Sequence, residues 1–206
     1  MLERGEQSKL ESFMEKKDEQ LIIEYQQGND ENALVTLFNR YKTHILNFAL
    51  RILGNRADAE DVTSDCFLTL FKKRYIYRAK VKFSTWLFTV ARNLCINRIR
   101  KRKKLGSMWF KKDSNNYEQW DVTDEKDAAD TELEKTEASI MVRKAILKLA
   151  EEQKEALILR EYHNMNYAEI SQIMNCSLEK VKILIFRARE QLKIELSSFV
   201  LEGEND

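Results

Sequence analysis

Few side chains in this sequence have the type and spacing that catalysis or metal binding requires. The two histidines, His44 and His163, are far apart in the chain, and neither starts a metal-ligand spacing or has a nucleophile beside it. The phosphate-binding patterns G-x-x-x-x-G-K-[ST] and G-x-G-x-x-G do not occur. We therefore expect no enzymatic activity, no cofactor, no metal and no small-molecule substrate. A group of acids is more typical of a helix start or a partner-facing surface than of a metal cluster: Asp58, Glu60, Asp61 and Asp65.

The cysteines and the N-terminus indicate where the chain works. Cys66, Cys95 and Cys176 are odd in number and form no C-x-x-C pair, which is typical of small buried thiols in a reducing compartment. The first residues, MLERGEQSKLESFMEKKDEQ, are too highly charged for a signal peptide, and no apolar run reaches the ~20 residues of a membrane span. The sequence predicts a cytoplasmic protein.

Charge is sorted along the chain, although the net charge is only +1. Residues 72–104 contain thirteen Lys or Arg and no acid, and they end in the run RIRKRKK. From 113 to 137 the sign inverts, with ten acids against two lysines. This acidic stretch lacks apolar periodicity and predicts a flexible, self-repelling linker.

The composition predicts an all-α fold. The 206 residues include no proline and only five glycines, which favours helices joined by short loops. We predict two small helical domains joined by the flexible acidic linker. The limits are an N-terminal tail at 1–17, a first domain at 18–106, the linker at 107–137, a second domain at 138–198 and a C-terminal tail at 199–206.

Apolar periodicity predicts three helices in the first domain. One ends at Gly54, a second covers about 57–71 and a third about 84–104, and Gly28 and Gly106 mark the outer ends of the domain. The residues expected to face the core are Leu34, Leu37, Phe38, Tyr41, Ile45, Phe48, Ile52, Val62, Phe67, Leu70, Phe71, Leu87, Val90, Leu94 and Cys95.

The second domain ends in a helix-turn-helix pattern. After helices at about 138–149 and 152–162, Asn166 and Glu169 form a capping-box pattern for a helix of about two turns. Asn175-Cys176-Ser177 then interrupts the pattern, and Ser177 is the expected cap of a longer, cationic helix. Such a pair places its second helix in a DNA major groove, although an ordinary helical hairpin with a solvated basic face has the same pattern.

The basic segment 72–104 also predicts contact with nucleic acid. Its cations alternate with Tyr75, Tyr77, Phe83, Trp86 and Phe88. Cations neutralise phosphates and aromatic rings stack on unpaired bases, a combination that binds single strands. For any single aromatic residue a place in the core is the more common outcome, but the complete absence of acid favours the nucleic-acid interpretation.

Two long stretches resemble one family of proteins. GNRADAEDVTSDCFLTLFKK and KFSTWLFTVARNLCINRIRKRKK resemble regions 2.2 to 2.4 of extracytoplasmic-function (ECF) sigma factors, which belong to the sigma-70 superfamily of bacterial RNA polymerase. AILKLAEEQKEALILREYHNMNYAEISQIMNCSLEKVKILIFRAREQLK resembles their region 4. The resemblance implies a polymerase subunit that directs core RNA polymerase to promoters and helps to melt the minus-ten region.

The resemblance also implies roles for individual residues. It assigns docking on the coiled coil of the polymerase β′ subunit to Asp58, Glu60, Asp61, Asp65 and Phe67. It assigns minus-ten DNA to Arg78, Lys80, Lys82, Trp86, Arg92, Asn93, Asn97, Arg98, Arg100 and Lys101. It assigns the minus-thirty-five element to Ser177, Glu179, Lys180, Lys182, Arg187 and Arg189. The implied partners are core polymerase, including its β flap, promoter DNA and an anti-sigma factor.

The resemblance has departures that leave questions open. Ile183 and Leu184 stand where the family commonly has Ser and Arg, and they either touch thymine methyl groups, pack against a regulator or are buried. The acidic linker either mimics nucleic acid in the polymerase channels, keeps the connection soluble and extended, or shields the basic domain.

Two other functions fit parts of the sequence. A free-standing helix-turn-helix regulator would bind duplex DNA without polymerase, but the expected docking helix at 57–71 disfavours it. A basic helical RNA-binding protein would leave the helix-turn-helix and the FSTWL segment unexplained. The sequence therefore predicts an ECF sigma factor.

Overall fold

The computed structural model describes residues 16–28, 31–72, 75, 77–78, 80–109 and 137–203, and within these ranges the chain is helical without strands. Most of the predicted linker, most of the predicted N-terminal tail and the end of the predicted C-terminal tail, at 204–206, lie outside the described residues. None of the described helices is long and apolar enough to cross a membrane. In chain order the helices are α1 Asp18–Gly28, α2 Glu31–Leu53, α3 Arg56–Lys72, α4 Phe83–Trp109, α5 Glu137–Lys148, α6 Glu151–Glu161, α7 Tyr167–Met174 and α8 Leu178–Gly203.

Helix α2 is the centre of the first domain, and it packs against α1, α3 and α4. Its buried stripe of Leu37, Ile45 and Phe48 recurs at the helical spacing that the sequence shows. Leu70 of α3 and Leu87 of α4 complete a fully buried core. Gly54 ends α2 with a φ of 67°, a left-handed conformation that suits a residue without a Cβ atom.

Helix α1 was not expected from the sequence. Its apolar face is short, consisting of Leu21, Ile22 and Tyr25, so the helical period is weak. Tertiary contacts hold it in place instead. Glu19 accepts a hydrogen bond from the backbone N–H of Phe83 at 3.0 Å, which places a carboxylate at the positive N-terminus of α4.

Some predicted core positions and helix ends were wrong. Phe71 is 58% exposed and Phe38 is 39% exposed, so both lie at the surface. Gly106 does not end the first domain's last helix, because α4 continues to Trp109. The final helix, whose end the sequence did not predict, runs to Gly203. Glycine has weak helix propensity, but one glycine costs only about 1 kcal/mol, which a long helix tolerates.

The second domain contains the expected helix-turn-helix. The Asn166 side chain accepts a hydrogen bond from the Glu169 N–H, and Glu169 accepts one from the Asn166 N–H, which completes the predicted capping box. Asn175 has a φ of 51° and turns the chain between α7 and α8. Ser177 then caps α8 by accepting a hydrogen bond from the Lys180 N–H at 3.2 Å.

The left-handed turn gives a test of the fold. Asn tolerates this conformation, whereas a β-branched residue is strained there by about 1–2 kcal/mol. We expect Asn175→Val to lower the free energy of unfolding by about that amount, and Asn175→Gly to leave it nearly unchanged. Urea denaturation followed by circular dichroism checks both variants, and equal stability of the two would contradict the assigned turn.

Candidate functional surfaces

The predicted docking carboxylates lie on one face of α3 and are bound by a cation from α4. The Arg98 guanidinium lies 3.3 Å from Asp58, 3.1 Å from Asp61 and 3.4 Å from Asp65. Arg102, one turn further along α4, also pairs with Asp58. The acids are therefore partners of α4, and Arg98 faces α3 rather than the basic surface to which the resemblance assigned it.

The other two residues assigned to docking have different environments. Glu60 is exposed and pairs with Arg56 one helical turn earlier, at 2.8 Å. Phe67 is only 8% exposed, and its ring packs edge-on against Phe38 at 4.8 Å between centroids. Phe67 therefore supports this face from beneath. Beside it, Leu68 and Phe71 are exposed. The spacing of Phe71 predicted a core position, and Leu68 was not assigned a role from the sequence.

The residues assigned to minus-ten DNA form a basic surface on α4 and on the segment before it. Trp86 is half-buried and packs against the rings of Tyr77 and Phe83, at 5.6 and 5.8 Å. Tyr77 is fixed in turn, because its hydroxyl donates to the Val81 carbonyl at 2.8 Å. The exposed members of the surface are Arg78, Lys80, Lys82, Asn93, Asn97, Arg100 and Lys101.

Carboxylates of the second domain cover part of this basic surface. The Arg92 Nε atom lies 2.7 Å from Glu155 Oε2, with both side chains largely buried. Lys82 lies 2.7 Å from Glu169, and Lys103 lies 2.5 Å from Glu151. Burial raises the pKa of Glu155, and the nearby Arg92 offsets this only in part. The two domains thus close on each other through cations that the sequence assigned to DNA.

An aromatic contact lies at the centre of this closure. The His163 ring packs against Phe88 at 4.7 Å and against Phe48 at 5.8 Å. Both of its ring nitrogens are buried without a hydrogen-bond partner among the described residues. Burial, together with the smaller effects of the charges of Arg51 and His44, lowers the pKa of His163 to about 3. His163 is therefore neutral and packs against the two phenylalanine rings like an apolar side chain. Its position in the sequence gives no sign of this role.

The residues assigned to the minus-thirty-five element divide into those that bind other groups of the second domain and those that are exposed. Lys180 pairs with Glu152 and Arg189 with Glu161, so both are bound to α6. Ser177 is used as the cap of α8. Glu179, Lys182 and Arg187 are exposed. Leu184 is buried, at 8% exposed, whereas Ile183 is 49% exposed, which resolves the question that the sequence left open for Leu184.

Two of the three cysteines are buried, as the sequence predicts. Cys66 and Cys95 are buried free thiols, and Cys176 is half-buried. Burial raises the pKa of Cys66 to about 12, and its thiol lies 3.8 Å from the Leu87 carbonyl. These thiols are therefore packing residues rather than reactive groups.

Comparison with known proteins supports the sigma-factor interpretation. Family models for "Sigma-70 region 2" and "Sigma-70, region 4" match residues 37–105 and 139–192. RNA polymerase sigma factor YlaC of Bacillus subtilis is 31% identical over 79% of this chain and 91% of its own. The ECF RNA polymerase sigma-E factor of Haemophilus influenzae is 28% identical over 85% and 93%.

A solved structure agrees in fold. The chain matches the sigma factor RpoE, solved in complex with the anti-sigma factor NepR from Bartonella quintana, with a TM-score of 0.58 and 23% identity. The match covers 76% of this chain and 91% of the other. The fold and the two basic surfaces thus define a two-domain transcription initiation factor. The chain belongs to the sigma-70 family and is an RNA polymerase sigma factor of the ECF type.

The ion pairs between the domains give a testable prediction. Removing one partner of a buried pair costs about 3–5 kcal/mol, because the other charge stays desolvated. We expect the double variant Glu155→Gln, Glu169→Gln to separate the domains, while Gln at 169 keeps the capping box. Small-angle X-ray scattering measures the larger radius of gyration. Glu195→Gln, which removes the Lys148 pair within the second domain, is the matched control and should leave the radius unchanged.

The buried imidazole predicts a dependence on pH. The open arrangement exposes His163, with its ordinary pKa of about 6.5, and therefore binds more protons than the closed one below that pH. Above pH 6.5 His163 is neutral in both arrangements, so its full contribution to the free energy of closure is present. It falls by about 1.4 kcal/mol per pH unit as the pH drops from 6.5 towards 3.

Energy transfer between one fluorophore on each domain measures this opening. Carboxylates titrate in the same range, so His163→Phe is the control, since it keeps the ring packing without the titration. Identical pH profiles for the wild type and His163→Phe would contradict the prediction.

Proposed function

We propose that this sigma factor binds core RNA polymerase through the acidic face of α3, melts the minus-ten region along α4 and reads the minus-thirty-five element with α8. The observation that supports the proposal is the placement of exposed cations on two separate surfaces, one on each domain of a sigma-70 family chain. The division into domains at 18–106 and 138–198, with the linker at 107–137, is part of this proposal.

The physical basis of docking is charge and apolar contact on one face. Asp61 is 63% exposed in its side chain and Leu68 and Phe71 are exposed near it on the same helix. A basic helical partner gains from the carboxylates and covers the apolar side chains. Glu60 extends the acidic face, and the buried Phe67 holds its shape.

Promoter opening requires no covalent chemistry. Unstacking a base costs a few kcal/mol, which binding to aromatic and cationic groups on the protein offsets. Trp86, Asn93, Asn97 and the cations of α4 supply such groups. We therefore propose that the chain acts without catalysis of its own, and in the cytoplasm, where polymerase and promoters are found.

An anti-sigma factor is the third proposed partner. RpoE of Bartonella quintana was solved with one, and this chain shares its fold.

A free-standing regulator that binds duplex DNA through α8 alone is the second candidate function. The observation in its favour is that Lys182 and Arg187 of α8 are exposed while Arg92 of α4 is covered by Glu155 of the second domain.

The docking assignment predicts the effect of a charge reversal. Asp61→Lys removes a carboxylate and the Arg98 pair, and places a cation against a basic partner, so we expect core polymerase binding to weaken about tenfold or more. Size-exclusion co-elution with bacterial core polymerase, followed by a titration, measures it. Glu31→Lys is the control. It reverses an exposed charge at the first residue of α2, on a different helix from Asp61, and the variant should bind core polymerase normally. A wild-type chain that binds duplex DNA but never core polymerase would favour the free-standing regulator.

The melting assignment predicts a different defect. Trp86→Ala should reduce promoter opening about tenfold, in line with the roughly 1–3 kcal/mol of a base-stacking contact, with much less effect on duplex binding. Permanganate reactivity of unpaired thymines measures opening, and electrophoretic mobility shift measures binding. Trp86→Phe keeps the packing against Tyr77 and should retain most of the opening. Full promoter opening by the Trp86→Ala variant would contradict the assignment of Trp86 to the melting surface.

A further inference from the structure

Helix α1 contacts the segment that precedes α4 at both ends of that segment. The Gln26 side chain donates a hydrogen bond to the Tyr77 carbonyl at 3.0 Å, where the segment begins. The Glu19 side chain accepts one from the Phe83 N–H at 3.0 Å, where the segment ends and α4 begins. The bonded residues are 51 and 64 positions apart in the chain. Two side chains of one helix therefore fix both ends of a distant segment.

The two residues bound by α1 are also the ones whose rings hold Trp86. Tyr77 and Phe83 pack against Trp86 at 5.6 and 5.8 Å between ring centroids, and against each other at 5.6 Å. Tyr77 and Phe83 are buried, whereas Trp86 is half-buried. A shift of the backbone at either end of the segment would therefore move a ring against which Trp86 packs.

The segment between these ends carries exposed cations. Arg78, Lys80 and Lys82 lie on it, and all three are exposed. The segment turns compactly, because the Tyr77 hydroxyl donates to the Val81 carbonyl at 2.8 Å and the Lys80 N–H donates to the Arg78 carbonyl at 2.6 Å. The position of the cations relative to Trp86 thus depends on where α1 fixes the two ends.

Helix α1 is itself held by the centre of the first domain. Asp18 accepts hydrogen bonds from Arg40, at 2.6 Å, and from the Tyr41 hydroxyl, and both of these residues belong to α2. Leu21 of α1 is fully buried in the core. The family model for region 2 matches from residue 37 onward, so α1 lies outside the matched residues and the match gives it no role.

We propose that Glu19 and Gln26 are positioning residues for promoter melting. From α1 they hold the segment before α4 so that its cations and Trp86 meet the unpaired minus-ten strand together. Groups that are already ordered before DNA binds lose less conformational freedom on binding. A contact that only capped α4 would need Glu19 alone, because the Tyr77 carbonyl lies before that helix. The inference rests on the proposed function, since it requires α4 to melt promoter DNA in the holoenzyme.

The experiment uses the full chain assembled with bacterial core polymerase, on a duplex promoter selected by transcription from randomised templates. Permanganate reactivity of unpaired thymines measures opening, and a co-elution titration measures core binding. Glu19→Ala removes the acceptor, and Gln26→Met removes the donor while keeping the length of the side chain. We expect each variant to lower opening about fivefold, as for the loss of one hydrogen bond of this kind, with core binding unchanged.

Two further variants separate the hydrogen bond from charge. Glu19→Gln keeps an acceptor for the Phe83 N–H without the negative charge, so it should retain most of the opening. Loss of that charge alone would strengthen binding to promoter phosphates, so the defect expected of Glu19→Ala has the opposite sign to this electrostatic effect. Glu24→Gln is the matched control, because Glu24 also lies on α1 but pairs with Lys16 at 2.8 Å. It should open the promoter like the wild type.

The outcomes separate this inference from the proposed function. Normal opening by both Glu19→Ala and Gln26→Met would overturn the inference while leaving the sigma factor intact. Core binding that falls in step with opening would also overturn it, because α1 would then only stabilise the fold. Equal defects in Glu19→Gln and Glu19→Ala would overturn the role of the hydrogen bond.

Circular dichroism checks the folding of each variant, and if Glu19→Ala does not fold, Gln26→Met alone decides the question. Failure of the wild-type holoenzyme to select any template would overturn the proposed function, and the inference with it.

Discussion

The contact of the His163 imidazole with Phe48 and Phe88 determines how the two domains stand to each other. The buried residues of both domains form one continuous apolar cluster, and this ring packs against two of its members, Phe48 and Phe88. Its nitrogens have no hydrogen-bond partner there, so the contact depends on the ring staying neutral. The ion pairs around it, with Arg92 and Glu155 the most deeply buried, fix the rotation of one domain on the other.

Closure and DNA binding use the same cations. Lys82 and Arg92 are bound to carboxylates in the closed chain, and the promoter complex that we propose uses both for contacts with phosphates or bases. The apparent affinity of a ligand falls by the fraction of molecules in the competent state, so a closed chain binds the minus-ten region weakly until another partner separates its domains. The outer face of α8 is not subject to this competition, because Lys182 and Arg187 remain exposed there in the closed chain.

The sequence predicts most of the fold, because helix periods, capping residues and the absence of proline are local signals. Asn166, Glu169 and Ser177 cap the helices as their spacing indicates. The features that the sequence does not predict depend on contacts between residues that are far apart in the chain. Helix α1 depends on contacts with α4, and Phe71 has the spacing of a core residue but no neighbour to cover it. The pairing of Arg98 with three carboxylates joins helices that are far apart in sequence, so charge runs alone do not reveal it.

Arg98 has a consequence for the order of assembly. It belongs to the helix for which we propose contact with promoter DNA, yet its guanidinium is held by the carboxylates of the helix that we propose binds polymerase. A basic partner that takes over those carboxylates releases Arg98, which adds a positive charge to the α4 surface. Linkage then works in both directions, since DNA that attracts Arg98 leaves the carboxylates free for the partner. On the proposed assignments, the two binding events are energetically coupled through one side chain.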